Sequence, residues 1–420
     1  MTFDLSLLTQ LPSPADRNIA LRVTAAAERV LRQGHPWCFE QAITSQSRPG
    51  APGDLAVIFD SKRRFLAAGL YDPTSMIRVR VLQNRQPQEI DTDWFIRKLS
   101  QAAELRAPLL QQPAARTTTG YRLVHGENDG LPGLVIDRYA DTLVLKIYTP
   151  AWIPHLPTVC TALAEIQPAE RLILRLNRAL QEQPDALYGL SDGLILSGPP
   201  LHEPLLFQEN GLTFEADPVA GQKTGFFLDQ RENRARVEAL SAGRSVLNVF
   251  AYTGGFSVYA ARGGATQVVS LDLSTPACDA ARRNMAHNRQ FPAVAAAHHE
   301  TIAGDAFLVL EELAASRRQF DLVIIDPPMF AHKQTQIAAA LAAYRRLTRL
   351  GLNALQPGGI LVQASCSSRV EARDFFAALH QTARELNRPL REIERSTHAL
   401  DHPITFSEGA YLKCLFAEAA

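Results

Sequence analysis

The chain lacks neighbouring cysteines. Its five, Cys38, Cys160, Cys278, Cys366 and Cys414, lie far apart with no CxxC spacing. That speaks against a zinc site and against a disulfide framework, so the expectation is no metal and a reducing, cytoplasmic setting. No stretch approaches the roughly 20 apolar residues of a membrane helix, so no membrane is expected as a partner. The opening segment MTFDLSLLTQLPSPADR has an early acid and no basic region ahead of an apolar core, unlike a secretory leader. There is no charge of one sign in excess: Lys plus Arg and Asp plus Glu stand at 43 each. A neutral total leaves nucleic acid open, because binding depends on local patches. Also missing are an internal repeat, a low-complexity tract and the phosphate-gripping GxGxxG of an NAD enzyme.

What is present is a chain of 420 residues, 46% apolar and 20% charged, which is long enough for two or three globular domains. Residues 1–20 read as a loosely ordered lead-in. Short β-prone runs then follow, PGDLAVIFD, RRFLAAGLYD and SMIRVRVL among them, as in a small barrel over 20–87. A middle α+β domain is expected over 88–203. Apolar spacing predicts a helix over 88–113, and a turn at Ala140 and Asp141 would join two strands as a hairpin. Helix and strand should follow at 152–166 and 168–180. The segment SGPPLHEPL marks a boundary. Over 204–420, strands alternate with helices, which predicts a parallel sheet covered on both faces.

Within that last region an apolar run, a small-residue turn and a helix follow one another in SVLNVFAYTGGFSVYAARGG. Strand, glycine turn and helix N-terminus together receive a ligand with backbone N–H groups. Asn248, Phe250, Tyr252, Thr253 and Gly254 are the candidates there. The next strand ends in Asp272, where an acid would bond two ribose hydroxyls. Asp305 sits where an acid would meet an adenine amino group. After FDLVII comes DPPMF: an acid, two prolines and an aromatic shape a rigid rim over a flat ring. Asp326 or the neighbouring carbonyl oxygens can accept hydrogen bonds from an exocyclic amine, with Pro327, Pro328 and Phe330 as the base-facing wall.

A lone cysteine is usually a small buried hydrophobe, and Cys38, Cys160, Cys278 and Cys414 take that reading. Cys366 differs: it follows ILVQAS at a strand end and is flanked by Ser365, Ser367, Ser368 and Arg369, a polar, partly cationic setting that favours a thiolate. Carbon 5 of a pyrimidine is a poor nucleophile. A thiolate that adds to carbon 6 turns the ring into an enamine, which can then attack a methyl sulfonium. Methylation at a base nitrogen would need no cysteine.

In this order the motifs GQKTGFFLDQRENR, NVFAYTGGFS, DPPMF, SCSS and DHPITFSEGAYLK, with HPWCF, LAAGLYDPTSMIRVRVL and RLVHGENDGLPGLVIDRY ahead of them, resemble the RlmI family. These are class I S-adenosylmethionine-dependent 5-methylcytosine methyltransferases of large-subunit ribosomal RNA. The resemblance spans the chain from about residue 20. It implies an α/β fold: a C-terminal Rossmann-like class I methyltransferase domain, an N-terminal PUA-type barrel that binds RNA, and the middle α+β domain. It implies S-adenosylmethionine as cofactor, ribosomal RNA or an assembly intermediate as partner, and leaves room for a homodimer. Cys366 is then the nucleophile, with Lys223, Thr224, Gly225, Asp272, Asp305 and Asp326 in the cofactor cleft. In 5-methyluridine enzymes of the broader class an acid after the cysteine removes the carbon-5 proton; Glu408, after Asp401-His402-Pro403, is similarly placed, and His402 reads as structural. Arg63, Arg64, Arg78, Arg80, Lys333, Arg345, Arg346 and Arg349 are candidate phosphate contacts. The rival readings are a base-nitrogen methyltransferase of the same fold, a non-catalytic RNA-binding assembly factor and, more distantly, an NAD oxidoreductase.

Overall fold

The structure, a computed structural model, describes residues 3–420. The chain forms two compact units. One contains the chain up to Gln208, Ala216–Leu228 and Leu400–Phe406; the other contains Glu209–Glu215, Asp229–Ala399 and Ser407–Ala420. Among the described residues no helix is long and apolar enough to cross a membrane.

The first unit holds two sheets. A six-stranded mixed sheet runs, edge to edge, Trp37–Phe39, Ile77–Asn84, Phe65–Tyr71, Leu55–Phe59, Ile19–Val23, Ile43–Gln46, around Ile19, Leu21, Ile58, Tyr71 and Val79. The other has five strands, with the expected hairpin Leu134–Tyr139 to Thr142–Ile147 at its centre. Ala140 turns that hairpin at a φ of 51°. The helix expected over 88–113 spans Thr92–Leu110, because the Asp91 carboxylate accepts from the Trp94 N–H at 2.8 Å and starts it there. The lead-in is not loose: Leu8 and Leu11 are buried in the core of the five-stranded sheet. Apolar spacing over so short a segment gave no sign of that.

In the second unit seven strands form one sheet: β1 (Ser245–Val249), β2 (Gln267–Asp272), β3 (His298–Ala303), β4 (Phe320–Ile325), β5 (Leu355–Ser365), β6 (Leu390–Ser396) and β7 (Lys413–Ala419). Their order is β3-β2-β1-β4-β5-β7-β6. The first five pair in parallel, each linked through helix as their near-continuous apolar runs require. The expectation of an all-parallel sheet fails at β7, which is antiparallel to both β5 and β6. Parallel neighbours need a helical crossover, and between β6 and β7 the only helix is the short 3-10 turn Ser407–Gly409. The strand order reverses between β1 and β4, so a crevice opens outside their carboxyl ends.

A buried polar ladder crosses this sheet. Asn248 Nδ2 donates to Ser257 Oγ (2.9 Å), which meets Ser270 Oγ (2.7 Å), which meets His299 Nε2 (2.9 Å). Burial pushes His299 down to about 4, with Arg282 and His298 adding to it. An unfolded histidine titrates near ~6.5. Above that pH both states are neutral and the ladder is intact. As pH falls from 6.5 towards 4, the unfolded chain takes a proton that the folded chain refuses, and stability is lost. Calorimetry should therefore show a melting temperature that drops between pH 7 and 4.5, by a stability loss on the order of 2 kcal/mol. The His299→Gln variant should lack that component of the slope.

Candidate active site

β1 ends in a turn that the backbone holds under strain. Phe250 and Tyr252 stand at φ of 61° and 48°, unusual for bulky residues, and Gly254 at 76°. Left-handed non-glycine residues cost about 1–3 kcal/mol each and cluster at ligand sites. Gly254 is also needed for packing: a Cβ there would lie 2.8 Å from Ala281 Cβ. Within the turn, Tyr252 N–H donates to Asp272 Oδ2 at 2.7 Å. Asp272 Oδ1 accepts from Ser274 N–H at 2.9 Å. These two bonds fix the carboxylate at the end of β2, and a carboxylate has about four acceptor sites, which leaves capacity for two hydroxyls. Thr253 Oγ1 is buried with no hydrogen-bond partner. Asn248 is fully buried, its amide facing Ser257 and its Oδ1 without a partner. Orphaned acceptors and donors of this kind beside a glycine turn fit an adenosyl ligand. Asp305 follows β3 and caps the helix Ala306–Ala315, its Oδ1 accepting from Phe307 and Leu308 N–H.

DPPMF leaves the end of β4, and Cys366 leaves the end of β5 beside it. Cys366 Sγ lies 3.8 Å from Pro327 O. It is the one cysteine that is not buried. Burial pushes the thiols of Cys38 and Cys160 up to about 11 and about 12, raises Cys278, and takes Cys414 well above the ordinary range, so those four are inert. Asp326 Oδ2 accepts from Gln230 Nε2 at 2.9 Å. Asn233 Nδ2 donates to Gln230 Oε1 at 2.6 Å, and Ser396 Oγ bonds Asn233 Oδ1. The Asp326 carboxylate, an acceptor only, thus fixes the polarity of the two buried amides, and the Ser396 hydroxyl completes the chain as a donor. Gln230 must then present N–H, not C=O, to Asp326.

A family profile described as S-adenosylmethionine-dependent methyltransferase matches residues 160–417, and a PUA-like domain profile matches 21–84. A Deinococcus radiodurans protein named ribosomal RNA large subunit methyltransferase is 46% identical over 97% of this chain and 99% of its own. The Aeromonas salmonicida ribosomal RNA large subunit methyltransferase I is 35% identical over 96% of this chain and 100% of its own. The chain belongs to the ribosomal RNA large subunit methyltransferase I family. Its cofactor is S-adenosylmethionine. A Streptococcus mutans protein assigned as a SAM-dependent methyltransferase shares the fold, with a TM-score of 0.79 at 21% identity over 95% of this chain and 99% of that one.

The remaining candidates are spread more widely. Pro327 is buried, Pro328 is exposed, and Phe330 is half-buried with its ring 5.2 Å from that of Tyr344. Glu408 is exposed and accepts from Ser407 Oγ at 2.7 Å. Lys223, Thr224 and Gly225 belong to the first unit. There Thr224 is buried, its Oγ1 donating to Asp137 Oδ2 at 2.5 Å. Arg78 and Arg80 are also in that unit. Arg78 bonds Asp72 O and Pro73 O and pairs with Glu40; Arg80 is buried, 3.7 Å from Asp72. Arg64 pairs with Asp60, Arg346 with Glu311 and Arg349 with Glu385, and Arg345 donates to Gln381. His402 is buried in the first unit, and its Nδ1 is 2.9 Å from Asp401 Oδ1. Sequence reading missed Gln230, Asn233 and Ser396. The available signal was an amide pair three apart within LDQREN, on a helix start that is otherwise charged.

Proposed function

We propose that this member of the family methylates carbon 5 of a cytosine in large-subunit ribosomal RNA through a covalent adduct on Cys366. The substrate class is supported by the names of the full-length relatives. The carbon-5 chemistry is supported by one observation above the rest: the only cysteine that is not buried lies 3.8 Å from the carbonyl of Pro327, in the segment that would frame the base.

When bound, S-adenosylmethionine supplies an electrophilic methyl group. The protein's own residues do the rest. The β1 turn and Asp272 hold the adenosyl portion. Asp326, oriented by Gln230, accepts from the 4-amino group of an extruded cytosine. The Cys366 thiolate adds to carbon 6, which moves electron density to carbon 5. Once carbon 5 carries the methyl group, a base removes its proton and the thiolate is expelled with restoration of the ring. Glu408 is our candidate for that base. The target nucleotide must be unstacked to reach the thiol, so a loop or partly opened RNA is the preferred substrate.

Incubation of undermodified large-subunit RNA, free or in assembled subunits, with isotopically labelled cofactor should yield labelled 5-methylcytidine on nucleoside mass analysis. Labelled methylguanosine or methyladenosine in its place would overturn the proposal.

A further inference from the structure

Lys413 opens β7, where an apolar run from Cys414 to Ala417 follows it, and only 4% of it is exposed. Its strand partner is Ser365, the residue immediately before Cys366. Its Nζ donates to Ser367 O at 2.5 Å and to Val370 O at 2.6 Å. Both carbonyls belong to the turn that carries Cys366 out of β5. No carboxylate pairs with Lys413 among the described residues. A buried ammonium held by carbonyls alone is costly; the same two bonds could be made by a neutral donor.

We propose that Lys413 is the positioning residue of Cys366: its ammonium pins the turn over 367–370 and supplies the buried positive charge that holds the nucleophile as a thiolate. The proton released by the thiol passes to water.

The groups around Cys366 make this assignment specific. Asp326, on the β4 turn, opposes a thiolate. Tyr344, on the helix Ile337–Asn353, bonds Ser365 Oγ at 2.8 Å and is pushed up to about 12, chiefly by burial, so it is neutral at pH 7. Arg369, on the same turn as Cys366, is exposed. Burial brings Lys413 down to about 8, while Cys366 works in the opposite direction. That leaves Lys413 mostly charged at neutral pH. The attraction is mutual: whatever the thiolate does for the ammonium, the ammonium does for the thiolate.

This assignment refines the proposed role of Cys366 but is read on the thiol itself, so it can fail separately from the methylation chemistry. The test is the pH dependence of Cys366 alkylation by iodoacetamide, followed by mass analysis of its peptide, in the wild type and in Lys413→Met and Lys413→Arg. The wild-type midpoint should fall below the ~8.5 of an ordinary thiol. Lys413→Met should move it up by about one unit, slowing alkylation at pH 7 about tenfold, and Lys413→Arg should restore most of the difference. A Lys413→Met protein that melts cooperatively yet keeps the wild-type midpoint would overturn the inference. Should that variant not fold, a wild-type midpoint at or above ~8.5 would overturn it alone. Absence of 5-methylcytidine with a lowered midpoint would instead count against the proposed function and leave Lys413 in its role.

Discussion

Replacement of Cys366 by alanine should abolish formation of 5-methylcytidine, a loss of at least about 10³-fold, while binding of S-adenosylmethionine stays within about twofold of the wild type. The asymmetry follows from position. The thiol leaves the end of β5 beside Pro327 O, while the strained turn and Asp272 lie at the ends of β1 and β2. Removing one half-buried sulfur leaves Asp272, Thr253 and Gly254 as they were. Without the thiolate, carbon 5 has no route to enamine character, and neither orientation nor proton transfer can replace it. Serine should fare no better, since its hydroxyl stays protonated where a thiol ionises. Cys414→Ala is the control. That thiol is fully buried near the start of β7, so its loss should lower the melting temperature through a small cavity and leave methyl transfer in place. The measurements are labelled methyl incorporation and equilibrium dialysis of the cofactor. Retained methyl transfer by Cys366→Ala would favour the base-nitrogen reading.

How much of this could be read from the sequence depended on the range of the interaction. The β1 turn, the acid ending β2 and the acid after β3 were legible because each is local: apolar run, small residues, helix, in that order. The hairpin at Ala140 was legible for the same reason. The Arg78 and Arg80 pair shows the limit. Spacing of two along a strand says that they share a face; it cannot say that Asp72, Pro73 and Glu40 engage them there. Lys413 is the sharper case. A lysine inside LKCLFA breaks an apolar pattern, which signals that something polar must meet it. Its partners, Ser367 O and Val370 O, became identifiable only with the antiparallel register of β7 on β5. The same holds for the Leu400–Phe406 strap. Its DHP motif lies among catalytic-domain sequences, yet Asp401 accepts from Arg122 N–H at 2.8 Å, and its carbonyl from Arg106 at 2.9 Å, within the first unit.

Asp326→Asn is expected to cost about 10²–10³ in kcat/KM for cytosine-containing RNA, an effect much larger than the loss of one charge at a surface. The reason is the fixed polarity of the relay. Ser396 donates to Asn233, Asn233 to Gln230, and Gln230 to Asp326 Oδ2. Asparagine at 326 no longer dictates that order: with its oxygen on Gln230 it turns NH₂ towards the base, and only reversal of the whole relay turns the oxygen there instead. In either arrangement the cytosine 4-amino group loses a charge-assisted hydrogen bond, and in the first it also meets an unpaired N–H. Gln230→Glu should be nearly as damaging, because it sets one carboxylate against another. Ser396→Ala should be mild, a few-fold, because the Asp326 carboxylate still holds Gln230 in its orientation and no group leaves the site. Steady-state kinetics on one defined RNA would order the three variants Asp326→Asn, Gln230→Glu, Ser396→Ala by severity. Cofactor KM should stay flat across the series, since the substitutions alter the relay and not the Asp272 carboxylate or the backbone of the β1 turn. A series in which cofactor affinity falls in parallel with turnover would place Asp326 on the adenosyl side of the site rather than against the base.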